Sequence, residues 1–376
     1  MGGRVFVGIL LLLASIVARK AAAATTCGFD VVARTMLLQA DCTTDATIGV
    51  PDGFTLDGRG HTITALDPPV DHYRGAILQN AAGATRVNVR NVVLTASGIA
   101  DVCDTGDDKL RGIALLDCGG MVSNVRIVGL KQTSPTACSE GSGIIVNTAP
   151  FDGTHPATKV VKISNVRVSD FQFVGLQAQG DVSVRIEANT VEGTNEPGIP
   201  AAGQFGMLLG RGAITTVRGN VVRQDASTTN LNTLGIFAFE VNDNVIDQNR
   251  IEGAPAGVFV ESYCQNTPSA NRNRISANTI RVTNEGIILV ARDAIGISTC
   301  DAHVDQNLVA QNTIKAIPGG GTAPDGVFVG AQDFGGPFVP TADANTIKRN
   351  TITGFGVGIF QNGDTNTVIQ GNVVQP

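Results

Sequence analysis

A unit of 29 residues repeats with its inner spacing intact, and this limits what the chain can become more than any other feature. Asn244 stands five before Asn249 and thirteen before Gly257, and Asn273 stands five before Asn278 and thirteen before Gly286. A fixed period of this size marks a solenoid, in which each unit buries its apolar face only against its neighbours. Within the unit the apolar residues alternate (Val258 and Val260, Ile287 and Leu289), which is the periodicity of a strand. No helical pattern intervenes, so strands follow strands around a coil.

The frame extends in both directions. An Asn followed one or two positions on by an aliphatic residue recurs at Asn91, Asn124, Asn165, Asn189, Asn220, Asn249, Asn278, Asn312, Asn350 and Asn372. A second column is glycine followed by an aliphatic residue, at Gly112, Gly143, Gly175, Gly206, Gly235, Gly257, Gly286, Gly326 and Gly358. Stacked asparagines can pass amide hydrogen bonds from coil to coil at a bend. The glycines are expected at the next corner, where positive φ is available to them. Both columns therefore read as architecture and not as chemistry.

These repeats resemble the right-handed parallel β-helix proteins of the pectate-lyase-like superfamily over residues 45–376. The resemblance implies an all-β, single-stranded parallel β-helix of about ten coils, roughly 50 Å long at the spacing of stacked strands. It also implies carbohydrate chemistry, since such helices commonly cleave or epimerise acidic polysaccharides along one face. The chain has no Trp and only two Tyr, and it lacks a recognisable lyase or hydrolase constellation. A non-catalytic surface or periplasmic scaffold, or an accessory binding protein, is the alternative.

Residues 1–24 read as a signal peptide: Arg4, an apolar run from Val5 to Val17, then Ala22-Ala23-Ala24 before Thr25. That run is too short to span a bilayer as a helix. A secreted or periplasmic protein follows, expected as a monomer with no membrane span in the mature chain. Residues 25–65 form capping strands and a first coil, continuous with the helix of residues 66–376. Seven cysteines fit an oxidising compartment. Cys27 pairs with Cys42 and Cys264 with Cys300; Cys103 suits Cys138, with Cys118 competing. The net charge of −6, without a basic run, argues against nucleic acid.

Candidate chemistry falls in three places. Asp101, Asp104, Asp107 and Asp108 form an acidic loop that could hold calcium. His155 and Lys159 are of the right type for a base and a cation acting on a uronate, while His61, His72 with Tyr73, and His303 are weaker isolated candidates. The third place is a stripe. The residue after each column glycine must face the core, so the next faces outward, and it is Leu208, Phe237, Phe259, Ile288, Phe328 and Phe360. Exposed apolar stripes mark contact surfaces. Phe237, Phe259 and Phe328 are the expected anchors for a polysaccharide or cell-surface ligand. Glu240, Glu261, Arg211 and Arg292, at the strand ends, are the expected catalytic edge.

Overall fold

The computed structural model describes residues 25–133, 138–151, 157–193, 203–226, 232–264, 269–294, 300–318, 325–334, 339–363 and 366–376. Every coil lays one strand in each of three sheets, in the order sheet 1, sheet 2, sheet 3. Sheet 1 has eleven strands, from Ile48–Val50 to Val357–Asn362. Sheet 2 has thirteen, from Phe29–Val32 to Val368–Gln370, and sheet 3 has twelve, from Cys42–Thr44 to Val373–Gln375. All pairings are parallel except that of Phe29–Val32 with Thr35–Leu38, an antiparallel hairpin at the N-terminal end. The disulfide Cys27–Cys42 ties that hairpin to the first strand of sheet 3. Cys103–Cys138 and Cys264–Cys300 are also bonded, which leaves Cys118 as a buried thiol.

The interior is a set of stacked columns. Ile246 faces Ile275 in sheet 2, Ile251 faces Ile280 in sheet 3, and Val258 faces Ile287 in sheet 1, all with no exposed surface. Like side chains repeat at about 4.8 Å, so each branched chain packs on the one below it. Among the described residues no helix is long and apolar enough to cross a membrane.

The bend between sheets 2 and 3 carries the asparagine ladder. Asn189, Asn220, Asn249, Asn278, Asn312, Asn350 and Asn372 are linked in series, each Nδ2 donating to the next Oδ1 at 2.9–3.0 Å. A second ladder, Asn244, Asn273, Asn307 and Asn345, runs before the sheet 2 strands, each backbone N–H donating to the next Oδ1 at 2.8–3.0 Å. Asn91, Asn124 and Asn165 do not join. They stand one residue earlier in their coils, with φ of 52–55°, and Val92, Val125 and Val166 fill the ladder position. An asparagine tolerates the left-handed region well, so the same residue type serves two different jobs.

The glycine column also differs from expectation. None of these glycines has positive φ. They are required because a Cβ at Gly257 would stand 2.6 Å from the carbonyl oxygen of Gly286 and would strike Ile280 of the core. The column lets sheet 1 approach the sheet 3 isoleucines closely.

Candidate functional site

Sheet 1 differs from the other two in the length of its strands. Glu285–Ala294 and Asp325–Phe334 run for ten residues each, whereas strands of sheets 2 and 3 at the same level have three or four. The extra length carries side chains beyond the core, so this is where the outward face can be built up. Register fixes that face: Leu208, Phe237, Phe259, Ile288, Phe328 and Phe360 oppose one another coil by coil. The residues one step earlier, Met207, Ile236, Val258, Ile287 and Val327, are fully buried inside.

The outward residues form their own apolar cluster, separate from the core. Val174, Phe205, Leu234, Ala256, Ile288, Val290 and Phe328 are its buried members, with Leu208, Phe237 and Phe259 half-buried against them. The rings are in contact: Phe205 and Phe237 stack at 5.4 Å between centroids, Phe237 and Phe259 also lie 5.4 Å apart, and Phe328 meets Phe360 at 5.7 Å. Such distances are those of favourable ring pairs.

A cleft of about 240 Å³ opens in this face. Leu234, Ala256, Phe259, Ile288 and Phe328 give it apolar walls, and Asn232, Asn284, Glu285, Arg292 and Gln332 supply polar groups. Apolar walls with placed polar groups suit a ligand site, and here the two kinds are equal in number. Arg292 is held in place from several sides. Its guanidinium lies over Phe259 at 5.4 Å and over Tyr263 at 5.7 Å, and Nη1 donates to the Tyr263 hydroxyl at 2.9 Å. Nη1 also stands 2.8 Å from Glu261 Oε1, an ion pair and not an aligned hydrogen bond.

Three carboxyls here are driven toward their neutral forms. Glu261 is almost completely buried, and burial pushes it up to about 7; Arg292 and the Tyr263 hydroxyl pull it down, and Glu240 adds repulsion. Glu285 is raised by burial and then by Asp325, against the pull of Arg292. Asp325 is raised by burial. Glu285 and Asp325 stand two residues before Ile287 and Val327, which face each other, so the two acids occupy one column on adjacent coils. Titratable groups shifted together in a cleft mark a place where chemistry can occur.

The residues expected from sequence distribute unevenly. Phe259, Phe328 and Arg292 line the cleft, and Phe237 extends its apolar face. Glu261 backs Arg292. Glu240 does not face outward: it has left-handed backbone (φ 52°) just past its strand and no exposed surface. Arg211 sits at the equivalent bend one coil earlier (φ 52°) and is not part of the cleft. Glu240 and Glu261 therefore do not form an outward pair. Lys159 begins a sheet 2 strand, Lys159–Ser164, away from this face, and His155 lies outside the described residues.

The acidic loop is pinned down instead of being open for calcium. Glu140 accepts the backbone N–H groups of Asp104 and Leu110 at 2.9 and 2.6 Å. Asp104 faces His72 at 2.9 Å, Asp107 pairs with Arg111 at 3.0 Å, and the Asp108 carbonyl accepts from the Gly75 N–H. Among the described residues no group of three or more His, Cys, Asp or Glu comes together as metal ligands. His61 lies 3.3 Å from Asp41, and His303 Nδ1 is 2.7 Å from the Thr341 hydroxyl, so both hold bends.

Sequence reasoning missed Glu285 and Asp325, although a signal was present. Each immediately precedes a column glycine, a place that holds Val174, Phe205, Leu234 and Ala256 on the preceding coils. An acid that interrupts an outward apolar column is the anomaly to look for.

Comparison with known proteins bears on the fold. The family model described as "Right handed beta helix region" matches residues 153–326. No curated protein sequence matches the chain. A mutant tailspike protein of E. coli bacteriophage HK620, solved with a pentasaccharide, is similar at 12% identity and a TM-score of 0.51, covering 87% of this chain. This chain spans 58% of that tailspike's length. A periplasmic alginate epimerase is similar at 12% identity and a TM-score of 0.49, over 89% of this chain and 85% of its own. The A-module of a mannuronan C-5 epimerase from Azotobacter vinelandii gives 12% identity and 0.42, over 91% and 89%. By its fold the chain is a right-handed parallel β-helix protein.

Proposed function

We propose that this protein, exported from the cytosol, binds a polysaccharide along the outward face of sheet 1 and hydrolyses it at the cleft. The observation that carries the reading is the column pair Glu285 and Asp325, one half-buried and one buried acid on adjacent coils, both with raised pKa values, the first of them lining the apolar-walled cleft with Arg292. The three disulfides suit an oxidising compartment. The tailspike of similar fold was solved with a pentasaccharide, which agrees with a glycan as ligand.

The two acids divide the work by their surroundings. Arg292 favours the carboxylate form of Glu285, and no cation opposes the burial of Asp325. Asp325 is then the proton donor to the glycosidic oxygen as its bond to the anomeric carbon breaks. Glu285 is the carboxylate that attacks that carbon. Adjacent strands stand about 4.8 Å apart, which suits the closer of the two carboxyl spacings used in glycoside cleavage, the one that retains configuration. Water then releases the sugar, with Asp325 taking its proton. One guanidinium among three carboxyls is poorly suited to hold a uronate, so this cleft favours a neutral glycan over the acidic one expected from the family resemblance.

The test is release of reducing ends from a panel of neutral and acidic polysaccharides. Ultraviolet absorbance is followed in parallel, because elimination leaves an unsaturated sugar and hydrolysis does not. Unsaturated products, or turnover that survives in both Glu285→Gln and Asp325→Asn, would overturn the hydrolytic reading. A binding protein without turnover is the second reading, favoured by the half-buried ring ladder Phe237–Phe259. Glycan binding with no product in the unmodified protein would establish it.

A further inference from the structure

The outward face of sheet 3 carries a charge pattern that the cleft does not use. Each strand of this sheet sends two side chains outward, on either side of one core residue, so the register draws two columns along the axis. In one column Arg126 faces Arg167, and farther along comes Arg250. In the other Glu192 faces Arg223, Arg223 faces Glu252, Glu252 faces Arg281, and Arg281 faces Lys315. From Arg126 to Lys315 these columns hold six cations and two carboxylates, a surplus of four on a chain whose formal charge is −6. At the margin, Lys131 and Asp170 neutralise each other at 2.8 Å.

Both glutamates are already saturated. Glu192 takes Arg167 at 2.7 Å and Arg223 at 2.8 Å, while Glu252 takes Arg250 at 2.7 Å, with Arg223 and Arg281 at 3.6 and 3.8 Å. Their side chains are 23% and 19% exposed, against 46–58% for the arginines above them. A ladder serving only to hold coils together would alternate throughout, as it does from Glu192 to Arg281. Here it ends in like-charged pairs, Arg126 opposite Arg167 and Arg281 opposite Lys315. Like charges directly opposite are destabilising. Arg126 and Lys315 have no ion-pair partner among the described residues.

We infer that the outward face of sheet 3 is a docking surface for a polyanionic glycan laid along the solenoid axis. Guanidinium forks match carboxylate and sulfate groups in paired hydrogen bonds. Seven strands give six intervals of about 4.8 Å, so the row is about 29 Å long. Charges farther apart than the Debye length, about 8 Å in physiological salt, are screened, so the local surplus governs and not the acidic total. The outward positions of these strands are Arg, Lys, Glu, Thr, Ser and Val. No aromatic ring is there for a base to stack on, which favours a glycan over a single-stranded nucleic acid. The surface is on a different sheet from the cleft and stands whether or not the cleft is catalytic.

The experiment measures binding of the full chain to heparin, polygalacturonate, neutral dextran and a single-stranded oligonucleotide. With a slope of about 0.7 per neutralised charge, a surplus of four predicts roughly 50-fold weaker binding as salt rises from about 50 to about 200 mM. Heparin or polygalacturonate should bind in this manner and dextran should not. The double variant R126E/K315E breaks no ion pair among the described residues and relieves two like-charge pairs, so its thermal unfolding should match or exceed the parent while affinity drops about tenfold or more and the salt slope falls. Absence of polyanion binding at low salt, equal affinity of parent and variant, or an oligonucleotide binding as tightly as the glycans would overturn the assignment. So would loss of polyanion binding in Glu285→Gln, since that would move the surface to the cleft.

Discussion

The asparagine corner and the cleft of sheet 1 both bury polar side chains, yet they treat them in opposite ways. At the corner each amide is used on every side: Asn249 Nδ2 donates to the Val217 carbonyl and to Asn278 Oδ1, and its Oδ1 accepts both N–H groups of Asn220. Nothing is left over for a ligand. In and around the cleft, Glu285, which lines it, and Glu261 and Asp325 are held toward their protonated forms by burial. A satisfied polar network specifies structure, whereas carboxyls kept from their preferred charge state store reactivity. Abundance is therefore a poor guide to function here, because the many asparagines build, and the proposed chemistry rests on a few acids that break the repeat.

The corner should give the largest response. Replacing Asn278 with Ala strands the backbone N–H and Nδ2 of Asn249 and the Ile246 carbonyl, all buried. At about 1–3 kcal/mol for each of these three unmade groups, the loss should reach about 3–9 kcal/mol in denaturant unfolding. A loss below about 1 kcal/mol would mean that water enters and repairs the ladder.

The cleft should respond in activity instead. Glu285→Gln and Asp325→Asn should each lower turnover by about 10²–10⁴-fold, the usual contribution of a positioned acid or base. Stability should hold or rise, because a neutral amide is easier to bury than a carboxyl forced to ionise. A variant that unfolds readily and keeps its rate would place these acids with the structural asparagines.

Acidity sharpens the contrast further. Glu261 titrates near 4.5 when unfolded and at about 7 when folded. The folded chain then binds the extra proton between those values, so stability falls as pH rises through this window. At about 1.4 kcal/mol per unit the single group is worth up to about 3 kcal/mol. The raised Glu285 and Asp325 act in the same direction. Melting temperature should drop from pH 5 toward pH 8 by an amount that Glu261→Gln reduces. Thermal unfolding across pH checks this, and an unchanged profile in the variant would show that Glu261 is not the group responsible.

The architecture was readable because solenoid packing repeats. Each coil meets the same neighbours, so a residue type needed once is needed every 22–40 residues, as the triplets from Asn189 to Asn372 and the glycines from Gly112 to Gly358 record. The facing of Phe237 and Phe259 followed from that phase. Where the expectations failed, the reason was a phase error of one residue. Asn91, Asn124 and Asn165 took the left-handed position beside the ladder, and Glu240 took the bend beyond the strand. A strand flips facing at every step, so one residue is enough to move a side chain from the surface to the interior. The acid pair escaped notice because it breaks the repeat, and Glu285 and Asp325 meet only when two coils 40 residues apart are stacked.

The smallest expected effect concerns the ring face itself. Phe259 is half-buried, 5.4 Å from Phe237 and 5.4 Å under Arg292, so it supports the outward cluster and lines the cleft at once. Sugar rings present apolar C–H faces, and an aromatic ring meets them with a flat surface that an aliphatic chain lacks. Phe259→Leu keeps most of the apolar area and removes only that surface, together with the contact to Arg292. Ring contacts of this kind contribute about 1 kcal/mol, so glycan affinity should weaken about fivefold to tenfold. Turnover at saturation should stay near the parent value, because the acid pair is untouched. Calorimetric titration with the best glycan from the hydrolysis panel measures the first, and initial rates the second. If affinity holds while the protein loses stability, Phe259 is only a brace for Phe237, and the cleft must recognise its ligand through Asn232, Asn284 and Gln332 instead.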